Sequence, residues 1–361
     1  MYDAIVIGCG PAGSTALRTM AQAGLKVLGL EKQSIGRYKP CAGAISGAAH
    51  KLLDLDITHL ICHEITSVDL RHQDQRLIRS WDQPVASLVM RDQFDAFLAR
   101  KAQEAGATIL EETRATHWEQ EPAGVRVYTS AGTFTAKVVI AADGGQGLSR
   151  RVFQLKPPGI SIHAEIPLEP QYRSLAARPI VWFGHPPGGY AWCFPKREYI
   201  SCGAGTMDPK YKAQVRPSFD RFLELLGIRP APLKLWAHPL VGHTGQAPLV
   251  HGRVLLVGDA GQLADPLSGE GILYGIYSGK AAGEAVVRAN EDGDFSFGDY
   301  QRKMAGVVRR ILRSAEVLSK LIHWRPQFTY ALCTRFPVIV DYYFSIIGGR
   351  RPYPGCQCLT P

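Results

Sequence analysis

The chain opens with apolar stretches separated by a glycine-rich turn, in the order of a βαβ unit. Residues 3–8 form a short apolar stretch that predicts a buried strand, and a helical pattern follows it to about Gly24. A second apolar stretch, 25–30, ends at Glu31. Two buried strands joined by a helix are typical of a parallel sheet with helices on its faces.

Later segments continue this sheet and add others. Segments near 108–111, 125–130 and 133–137 predict a three-stranded meander, because glycine-containing turns separate them. Residues 160–247 mix strand-like alternation with Pro and Gly turns, and predict a sheet-rich second domain. A further buried strand, 254–257, precedes a long helix that begins near Gly271.

The predicted fold class is α/β, with a discontinuous Rossmann-type nucleotide-binding domain, an inserted sheet-rich substrate domain and C-terminal helices. The predicted parts are 1–159 (first nucleotide-binding part, including the meander), 160–247 (substrate-binding sheet), 248–290 (last nucleotide-binding part) and 291–361 (basic helical module). A chain of 361 residues is long enough for about two domains.

Charge is concentrated at one end of the chain. The net charge is +9, and residues 302–351 carry ten basic side chains and two acidic ones. No apolar run is long enough to span a bilayer, and the first residues do not have the pattern of a secretory signal. The scattered cysteines lack the paired spacing of a metal site or disulfide framework, so we expect reduced thiols, no metal site and a cytoplasmic location.

The opening turn carries a dinucleotide-binding fingerprint, Gly8-x-Gly10-x-x-Gly13. Gly8 permits the tight turn, Gly10 lets the backbone approach a pyrophosphate, and Gly13 allows close packing of helix and strand. Glu31 stands 18 positions after the last glycine, where a carboxylate accepts hydrogen bonds from ribose hydroxyls. Strand, helix, second strand and acid occur in the required order, which predicts a bound dinucleotide.

Other motifs extend this pattern. Arg91, Asp143-Gly144, Gly258-Asp259 and the segment from Pro266 to Gly271, together with the opening fingerprint, resemble the FAD-binding motifs of the aromatic-hydroxylase group. Within that group, the segments Arg37–Gly43 and Gly189–Pro195 resemble the two signatures of the geranylgeranyl reductase family. The resemblance implies bound FAD and reduction of isolated C=C bonds in a polyprenyl chain, such as a geranylgeranyl group on a lipid, chlorophyll precursor or quinone.

Site residues follow from the motifs and the resemblance. The predicted cofactor-binding residues are Gly8, Gly10, Ala12, Gly13, Glu31, Lys32, Cys41, Ala42, Gly43, Arg91, Asp143, Gly144, Gly258, Asp259, Pro266, Gly269, Gly271 and Ile272. The predicted catalytic residues are Cys41, Tyr190 and Trp192, and the predicted substrate-binding residues are Tyr190, Trp192 and Phe194. At Gly147 the hydroxylase group commonly has Ser, so no side chain is expected to contribute there.

Two of these assignments have structural alternatives. Cys41 is either a proton source, with nearby Lys39 favouring its thiolate, or a small buried apolar residue. Tyr190, Trp192 and Phe194 alternate on one face of a strand, as either pocket lining or core.

The reaction and its partners follow from the resemblance. An unconjugated alkene needs hydride addition coupled to protonation, with aromatic faces stabilising cationic character. One dinucleotide fingerprint implies that NADPH or a small carrier such as ferredoxin meets the enzyme transiently. The alternative function is FAD-dependent hydroxylation of an aromatic or lipophilic substrate by a monooxygenase. Basic residues among large aliphatics in the C-terminal module predict peripheral membrane binding rather than nucleic-acid binding.

Overall fold

The computed structural model of the chain describes residues 1–155, 159–229, 233–242, 248–357 and 359. The strands are β1 (Tyr2–Ile7), β2 (Val27–Leu30), β3 (Ala44–Ser46), β4 (Ile61–Ile65), β5 (Ser67–His72), β6 (Gln75–Ser80), β7 (Ala86–Val89), β8 (Thr108–Leu110), β9 (Ala115–Glu121), β10 (Gly124–Thr129), β11 (Gly132–Ala141), β12 (Gly159–Pro167), β13 (Ile180–Phe183), β14 (Gly189–Pro195), β15 (Tyr199–Thr206), β16 (Trp236–Leu240), β17 (Val250–His251) and β18 (Val254–Leu256). The α-helices are α1 (Pro11–Gln22), α2 (Gly47–Leu52), α3 (Arg91–Glu104), α4 (Leu148–Val152), α5 (Lys212–Leu225), α6 (Ile272–Asp292), α7 (Gly298–Lys303), α8 (Arg309–Trp324), α9 (Pro326–Arg335) and α10 (Val338–Ile347).

The first sheet has the parallel core that the opening pattern predicts. Its order is β17-β18-β11-β1-β2-β8, and β1 pairs in parallel with both β2 and β11. Ala4, Ile5 and Val6 of β1 are fully buried, as expected for a central strand covered on both faces. The predicted α/β fold class is therefore confirmed.

Helices α1 and α6 pack closely against each other. A Cβ at Gly279 of α6 would lie 2.2 Å from the Ala12 carbonyl oxygen, and one at Gly283 would lie 2.9 Å from the Thr19 Cβ. Since the two backbones are this close, only glycine fits at these α6 positions. The contact fixes α6 relative to α1 at the edge of the sheet where both helices begin.

The predicted meander exists but has different members. Strands β9, β10 and β11 form the antiparallel meander, whereas β8, the segment assigned to its first strand, pairs in parallel with β2. The prediction missed β9 because its residues are mostly exposed and polar, apart from the buried Trp118. A strand of this kind has little hydrophobic pattern to detect.

The second sheet has seven strands in the order β16-β12-β15-β14-β13-β5-β6, and a separate three-stranded sheet has the order β3-β7-β4. Helix α5 covers one face of the seven-stranded sheet, where Phe219 and Phe222 pack against Ala164, Cys193 and Cys202. Side chains alternate between the faces of a strand. The alternate residues of each strand therefore form the other face of the sheet, which is turned toward the first sheet.

The seven-stranded sheet draws on more of the chain than the predicted substrate domain. Strands β5 and β6 lie within the range assigned to the first nucleotide-binding part, but β5 pairs in parallel with β13. The local pattern cannot show this long-range pairing. The last residues of the predicted substrate domain, 243–247, lie outside the described residues, and the domain boundaries remain predictions.

The C-terminal module is helical, with α7 to α10 joined through a short π-helical segment, Met304–Val308. Tyr330 is buried, and its hydroxyl donates a hydrogen bond to the Leu70 carbonyl oxygen of β5 at 3.0 Å. The module thus packs on the second sheet. Among the described residues, none of the helices has the length and apolarity required to cross a membrane.

Candidate functional site

A cavity of about 640 Å³ lies between the two larger sheets. The carboxyl ends of the neighbouring parallel strands β2, β1, β11 and β18 all reach it, through Glu31, Gly8, Asp143 and Asp259 respectively. Ligands of open parallel sheets bind at this edge. The cavity-facing side of the seven-stranded sheet closes it from the other direction.

The opening glycines shape one end of the cavity. Gly8 has φ +95°, and a Cβ there would lie 2.4 Å from the Ala142 carbonyl oxygen. A Cβ at Gly10 has no heavy atom nearer than 4.0 Å, so the position faces open space in the cavity beside the N-terminus of α1. Gly13 is different, because its Cβ would lie 1.9 Å from the Gly8 carbonyl oxygen and it does not line the cavity.

Glu31 lies at the end of β2 and is buried. Its Oε2 accepts a hydrogen bond from the Cys9 backbone N–H at 3.0 Å, and its Oε1 lies 3.9 Å from Nη2 of Arg37. Arg37 lines the cavity, and its buried Nε has no hydrogen-bond partner among the described residues. A buried donor left unpaired costs free energy, so the arrangement suits an anionic or hydroxyl-bearing ligand. The signature segment contained Arg37, but no role was predicted for it.

Arg91 belongs to a buried ion network at the start of α3. Its guanidinium binds both carboxylate oxygens of Asp95 at 2.8 and 3.0 Å, and Nζ of Lys39 lies 2.5 Å from the same carboxylate. Burial alone would raise the pKa of Asp95, but the two cations outweigh it and hold that pKa below its ordinary value. Asp95 thus stays charged and orients Arg91, which lines the cavity.

Cys41 lines the cavity in the loop after β2, and its sulfur accepts a hydrogen bond from the Gly43 backbone N–H at 3.3 Å. The cation expected beside the thiol was Lys39, whose ammonium instead pairs with Asp95. The cations whose charges act on the Cys41 sulfur are Arg91, at the start of α3, and the buried Lys196. Arg91 comes near Cys41 through tertiary packing, because the start of α3 folds against this loop.

Gly43 has a packing role. It has φ +74°, does not line the cavity, and its Cβ would lie 2.1 Å from the Val89 carbonyl oxygen. The same carbonyl accepts a hydrogen bond from the buried Lys196 ammonium at 2.6 Å, and burial lowers the pKa of Lys196. The backbone of this loop is therefore fixed from behind by β7.

Asp143 lines the cavity at the end of β11, but its carboxylate is engaged. The Ser149 backbone N–H donates to Oδ2 at 2.8 Å, and the Ser149 hydroxyl donates to Oδ1 at 2.5 Å. Burial raises the pKa of Asp143, and these hydrogen bonds oppose that shift. A Cβ at Gly147 would lie 2.1 Å from Asp143 Cγ, which explains why glycine stands where the hydroxylase group has Ser.

Asp259 presents a carboxylate to the cavity after β18. Burial raises its pKa, and the nearby Arg91 partly offsets that rise. The loop that follows is held by Asp265, whose Oδ1 accepts hydrogen bonds from the backbone N–H groups of Leu267 and Ser268 at 2.7 and 2.9 Å. Oδ2 of Asp265 accepts a hydrogen bond from the Tyr353 hydroxyl at 2.7 Å. This loop leads into α6, whose positive N-terminal end is directed at the cavity.

The β14 aromatics line the cavity. Tyr190, Trp192 and Phe194 all reach it, while Ala191 and Cys193 of the same strand pack under α5. The Tyr190 and Trp192 rings meet edge to face with centroids 6.0 Å apart. Of the two alternatives for this strand face, pocket lining rather than core describes its position.

Tyr190 and Trp192 differ in their polar contacts. The Tyr190 hydroxyl donates to the Ser268 carbonyl oxygen at 2.5 Å, and the buried Trp192 Nε1 has no partner among the described residues. On β15, a Cβ at Gly203 would lie 2.2 Å from the Trp192 ring. The absence of a side chain there creates the room for the indole.

Nearly all of the predicted site residues meet at this one cavity. Those that line it are Gly8, Gly10, Ala12, Glu31, Lys32, Cys41, Ala42, Arg91, Asp143, Gly144, Tyr190, Trp192, Phe194, Gly258, Asp259, Pro266, Gly269, Gly271 and Ile272. Gly13 and Gly43 lie behind it. Their roles toward a ligand remain predictions.

Sequence analysis missed several polar residues of the wall. His163 on β12, His238 on β16 and His323 on α8 line the cavity. Burial lowers the pKa of His238 and of His323 to about 4, so both imidazoles are neutral at neutral pH. These residues stand in segments without a motif, and the alternation along β12, which also places Ser161 in the cavity, was the available signal.

The polar groups of the cavity fit FAD. The N-terminus of α1 and the unpaired Nε of Arg37 offer donors to a pyrophosphate, and Glu31 and Asp259 offer acceptors to ribose and ribityl hydroxyls. The open position at Gly10 leaves room for the ligand at the helix N-terminus. A dinucleotide carrying a second ring system would therefore extend from the β2 end of the cavity toward the β18 end.

Comparisons with known proteins agree with this geometry. A family model described as FAD binding domain matches residues 1–283. The digeranylgeranylglycerophospholipid reductase of Methanosarcina acetivorans is 31% identical over 324 residues, with 82% of this chain and 77% of that protein covered. The geranylgeranyl diphosphate reductase of Rhodobacter capsulatus is 32% identical over 313 residues, covering 79% of this chain and 75% of that protein. The crystal structure of a geranylgeranyl bacteriochlorophyll reductase-like protein from Thermoplasma acidophilum has a TM-score of 0.77 at 25% identity, and the match covers 99% of this chain and 93% of that one.

Proposed function

Because the chain belongs to the geranylgeranyl reductase family of FAD-dependent oxidoreductases, we propose that it saturates isolated C=C bonds of a polyprenyl chain. The polyprenyl substrate would be a geranylgeranyl group on a lipid, chlorophyll precursor or quinone. One observation carries the proposal: the aromatic face of β14 lines the same cavity as the strand ends that suit FAD. The reacting bond and the cofactor would thus share one enclosed space.

The reaction adds a hydride to one carbon and a proton to the other. Reduced FAD, when bound, supplies the hydride. Cys41 is the proposed proton donor, because it lines the cavity and its sulfur interacts with the Arg91 guanidinium. The thiol becomes a thiolate when its proton has moved, and a later proton from solvent restores the thiol.

The aromatic residues have a role of their own. Partial positive charge builds up at the more substituted carbon as the alkene is protonated, and an aromatic face stabilises such charge in a site that excludes water. Trp192 and Tyr190 are the proposed stabilising groups, and Phe194 extends the apolar surface for the chain. The Tyr190 hydroxyl is held on Ser268, which fixes the ring beside the loop that leads into α6.

The second candidate function is an FAD-dependent monooxygenase, which would use the same cofactor strands. It needs no proton donor at Cys41, and it inserts oxygen instead of adding hydrogen. The electron donor does not separate the two functions well. A monooxygenase or a reductase could receive electrons from NADPH, and a reductase could also receive them from a small carrier such as ferredoxin. We propose that this donor binds transiently.

One experiment separates the two functions. The reduced holoenzyme is mixed without oxygen with a geranylgeranyl-bearing phospholipid, and flavin reoxidation and product mass are followed together. The reductase yields product heavier by two hydrogen atoms for each bond, formed as the flavin reoxidises. Unchanged lipid without oxygen, and product heavier by one oxygen atom with it, would identify the monooxygenase.

We also propose that the enzyme is a peripheral membrane protein at the cytoplasmic face, which is where a lipid substrate is dissolved. The outer side of the C-terminal helices exposes large apolar side chains: Val317, Leu321, Trp324, Phe328, Leu332, Phe336, Val338, Ile339 and Tyr342. Trp324 is 73% exposed. An apolar surface of this extent suits the interior edge of a lipid headgroup layer.

The charges beside this apolar surface favour an anionic bilayer. The exposed basic residues are Arg310, Arg313, Lys320, Arg325, Arg335, Arg350 and Arg351. Of the two acidic residues in 302–351, Asp341 is half-buried and bound to Arg79 at 2.5 Å, and Glu316 pairs with Lys320 at 2.6 Å. The arginines therefore carry the positive charge of this surface. Each basic residue near an anionic surface contributes roughly 1 kcal/mol.

Flotation with anionic vesicles tests the membrane proposal. Binding should fall with rising salt, and it should weaken when Arg350 and Arg351 are changed to Glu. The matched control changes Arg216 and Arg221, exposed on α5, in the same way. If the protein stays in solution with anionic vesicles at low salt, the membrane proposal is wrong, and the helices serve only to cover the second sheet.

A further inference from the structure

Three side chains are hydrogen-bonded to one another at the cavity, and one of them, His163, lines it on the far side of Gly203 from Trp192. His163 and Glu165 are two positions apart on β12, so their side chains point to the same face. The Tyr38 hydroxyl, from the loop after β2, lies 2.5 Å from Nε2 of His163 and donates to Oε1 of Glu165 at 3.3 Å. The wall thus holds an unbroken line of groups that exchange protons.

The burial of the imidazole and of one carboxylate oxygen is unusual for a purely structural contact. His163 is 1% exposed but lines the cavity, and Oε2 of Glu165 is buried with no hydrogen-bond partner among the described residues. An unpaired buried carboxylate oxygen lowers stability. Burial and the Glu165 charge raise the pKa of Tyr38, which therefore keeps its proton and acts as a donor. A carboxyl group that takes up and releases a proton would use the free oxygen.

The proposed reaction requires a supply of protons, which these groups could provide. Each saturated bond takes up one proton inside the cavity, and the donor must be refilled before the next bond. Cys41 provides one acidic hydrogen, and it lies in the same loop as Tyr38, three positions later.

We propose that Tyr38, His163 and Glu165 form a proton-supply group for the reducing site. This inference rests on the proposed function. The resting Glu165 carboxylate first takes up a proton from water. The imidazole then releases its Nδ1 proton to an acceptor in the cavity, the Tyr38 hydroxyl proton moves to Nε2 of His163, and the proton on Glu165 moves to the Tyr38 oxygen. Glu165 is again a carboxylate, so one proton is delivered and no electron is transferred.

The charged surroundings distinguish His163 from the neighbouring histidine. Burial lowers the pKa of His238 to about 4, and the positive charges of Arg91, Lys39 and Arg37 act in the same direction. His163 has the Glu165 carboxyl group beside it, with Nε2 and Oε1 3.7 Å apart. The buried ammonium of Lys196 acts on Glu165, and the Asp92 carboxylate acts on Tyr38.

The test compares Tyr38→Phe, His163→Asn and Glu165→Gln with the wild-type holoenzyme. Each substitution leaves a side chain no larger than the original and removes one group that can both take up and release a proton. The matched control is His50→Asn, because Nε2 of His50 bonds the Ser87 hydroxyl at 2.6 Å and does not line the cavity. Flavin content and reduction by dithionite report whether the fold and the cofactor site are intact.

We expect each of the three variants to retain its flavin and to slow anaerobic reoxidation by geranylgeranyl phospholipid by about 10²-fold. The dependence of that rate on pH should flatten, and the control should match the wild type. A second readout needs no turnover: in protein freed of flavin, Tyr38→Phe should shift the NMR titration of the His163 imidazole.

The outcomes separate the inference from the function on which it rests. If the wild type reduces the lipid and all three variants keep its rate and pH profile, the three residues only pack the loop and the inference is overturned. An unshifted imidazole titration in Tyr38→Phe contradicts it as well. A wild type that reoxidises without reducing the lipid overturns the proposed function, and this inference with it.

Discussion

The two sheets build the cavity by different means. The parallel sheet contributes strand ends and glycine positions such as Gly8 and Gly10, where backbone rather than side chain faces the ligand space. The seven-stranded sheet contributes one whole face, on which Trp192 and His163 project from neighbouring parts of the sheet. The first arrangement suits a ligand bound by its phosphates and hydroxyls, and the second suits control of what happens to an apolar chain beside it.

The difference implies that substitutions in the two regions fail in different ways. Changes on the parallel sheet should remove the cofactor, whereas changes on the seven-stranded sheet should leave the cofactor bound and alter turnover. The following predictions test that division.

Gly10→Leu should have the largest effect, a complete loss of bound flavin. The position faces open cavity space, so the leucine side chain can be accommodated in the fold but occupies the place of the pyrophosphate. The measurement is flavin absorbance of the purified protein, with thermal unfolding to show that it is folded. Gly306→Leu is the control, because that glycine is exposed and has no neighbour within 4 Å. Yellow Gly10→Leu protein would contradict the cofactor assignment.

Cys41→Ala should leave flavin binding intact and slow alkene reduction by about 10²- to 10⁴-fold, the usual contribution of a general acid. Single-turnover reoxidation by a geranylgeranyl phospholipid measures this loss. Cys62→Ala serves as the comparison, since Cys62 is half-buried outside the cavity and its thiol donates to the Leu60 carbonyl oxygen at 3.8 Å. Equal rates for the two variants would show that Cys41 is a packing residue.

Two tryptophans on opposite faces of the seven-stranded sheet give a sharper version of the same test. Trp192→Leu should slow reduction by about tenfold, because the indole face that stabilises positive charge is lost. Trp182→Leu should lower the free energy of unfolding by about 3 kcal/mol without slowing reduction, because Trp182 packs under α5 against Phe222. Rate measurements and chemical denaturation of both variants distinguish the faces, and a reversal of the two effects would contradict the orientation of the sheet.

The smallest expected effect is that of Glu270→Gln, which should change stability rather than turnover. Burial raises the pKa of the Glu270 carboxyl to about 8 from 4.5, so the folded protein holds a proton that the unfolded chain has released between those values. The contribution of this group to stability is therefore present below pH 4.5 and is lost as the pH rises toward 8. Glu270→Gln should make thermal unfolding less dependent on pH across this range. An identical pH dependence in variant and wild type would mean that the carboxyl is solvated.

The same division explains what the sequence could predict. The fingerprint at Gly8, Gly10 and Glu31 is local, because its glycines and acid have fixed spacing around one βαβ unit, and these residues do meet at one cavity. Alternation along β14 likewise placed the aromatics on one face, and the family signature indicated which face lines the pocket. Neither inference needed knowledge of a distant segment.

Residues joined by long-range contacts were missed. Tyr38 and His163 are 125 positions apart, and neither stands in a motif that assigns it a partner. Lys39 was expected beside Cys41 because it is near in sequence, but Asp95 from α3 takes up its ammonium. Such pairs depend on how the sheets and helices pack, and a single sequence carries little information about that.

Helix α8 separates two environments by the thickness of one helix. His323 lines the cavity, and the side chain of the next residue, Trp324, is largely exposed on the outer side. If a membrane covers that outer side, a prenyl chain has about 10 Å to travel between lipid and cavity, the diameter of a helix. Transfer through water would expose the chain at about 0.8 kcal/mol for each CH₂, whereas direct transfer along α8 exposes little of it. The rate at which substrate is exchanged would then depend on lateral diffusion in the bilayer, and not on the solubility of the lipid.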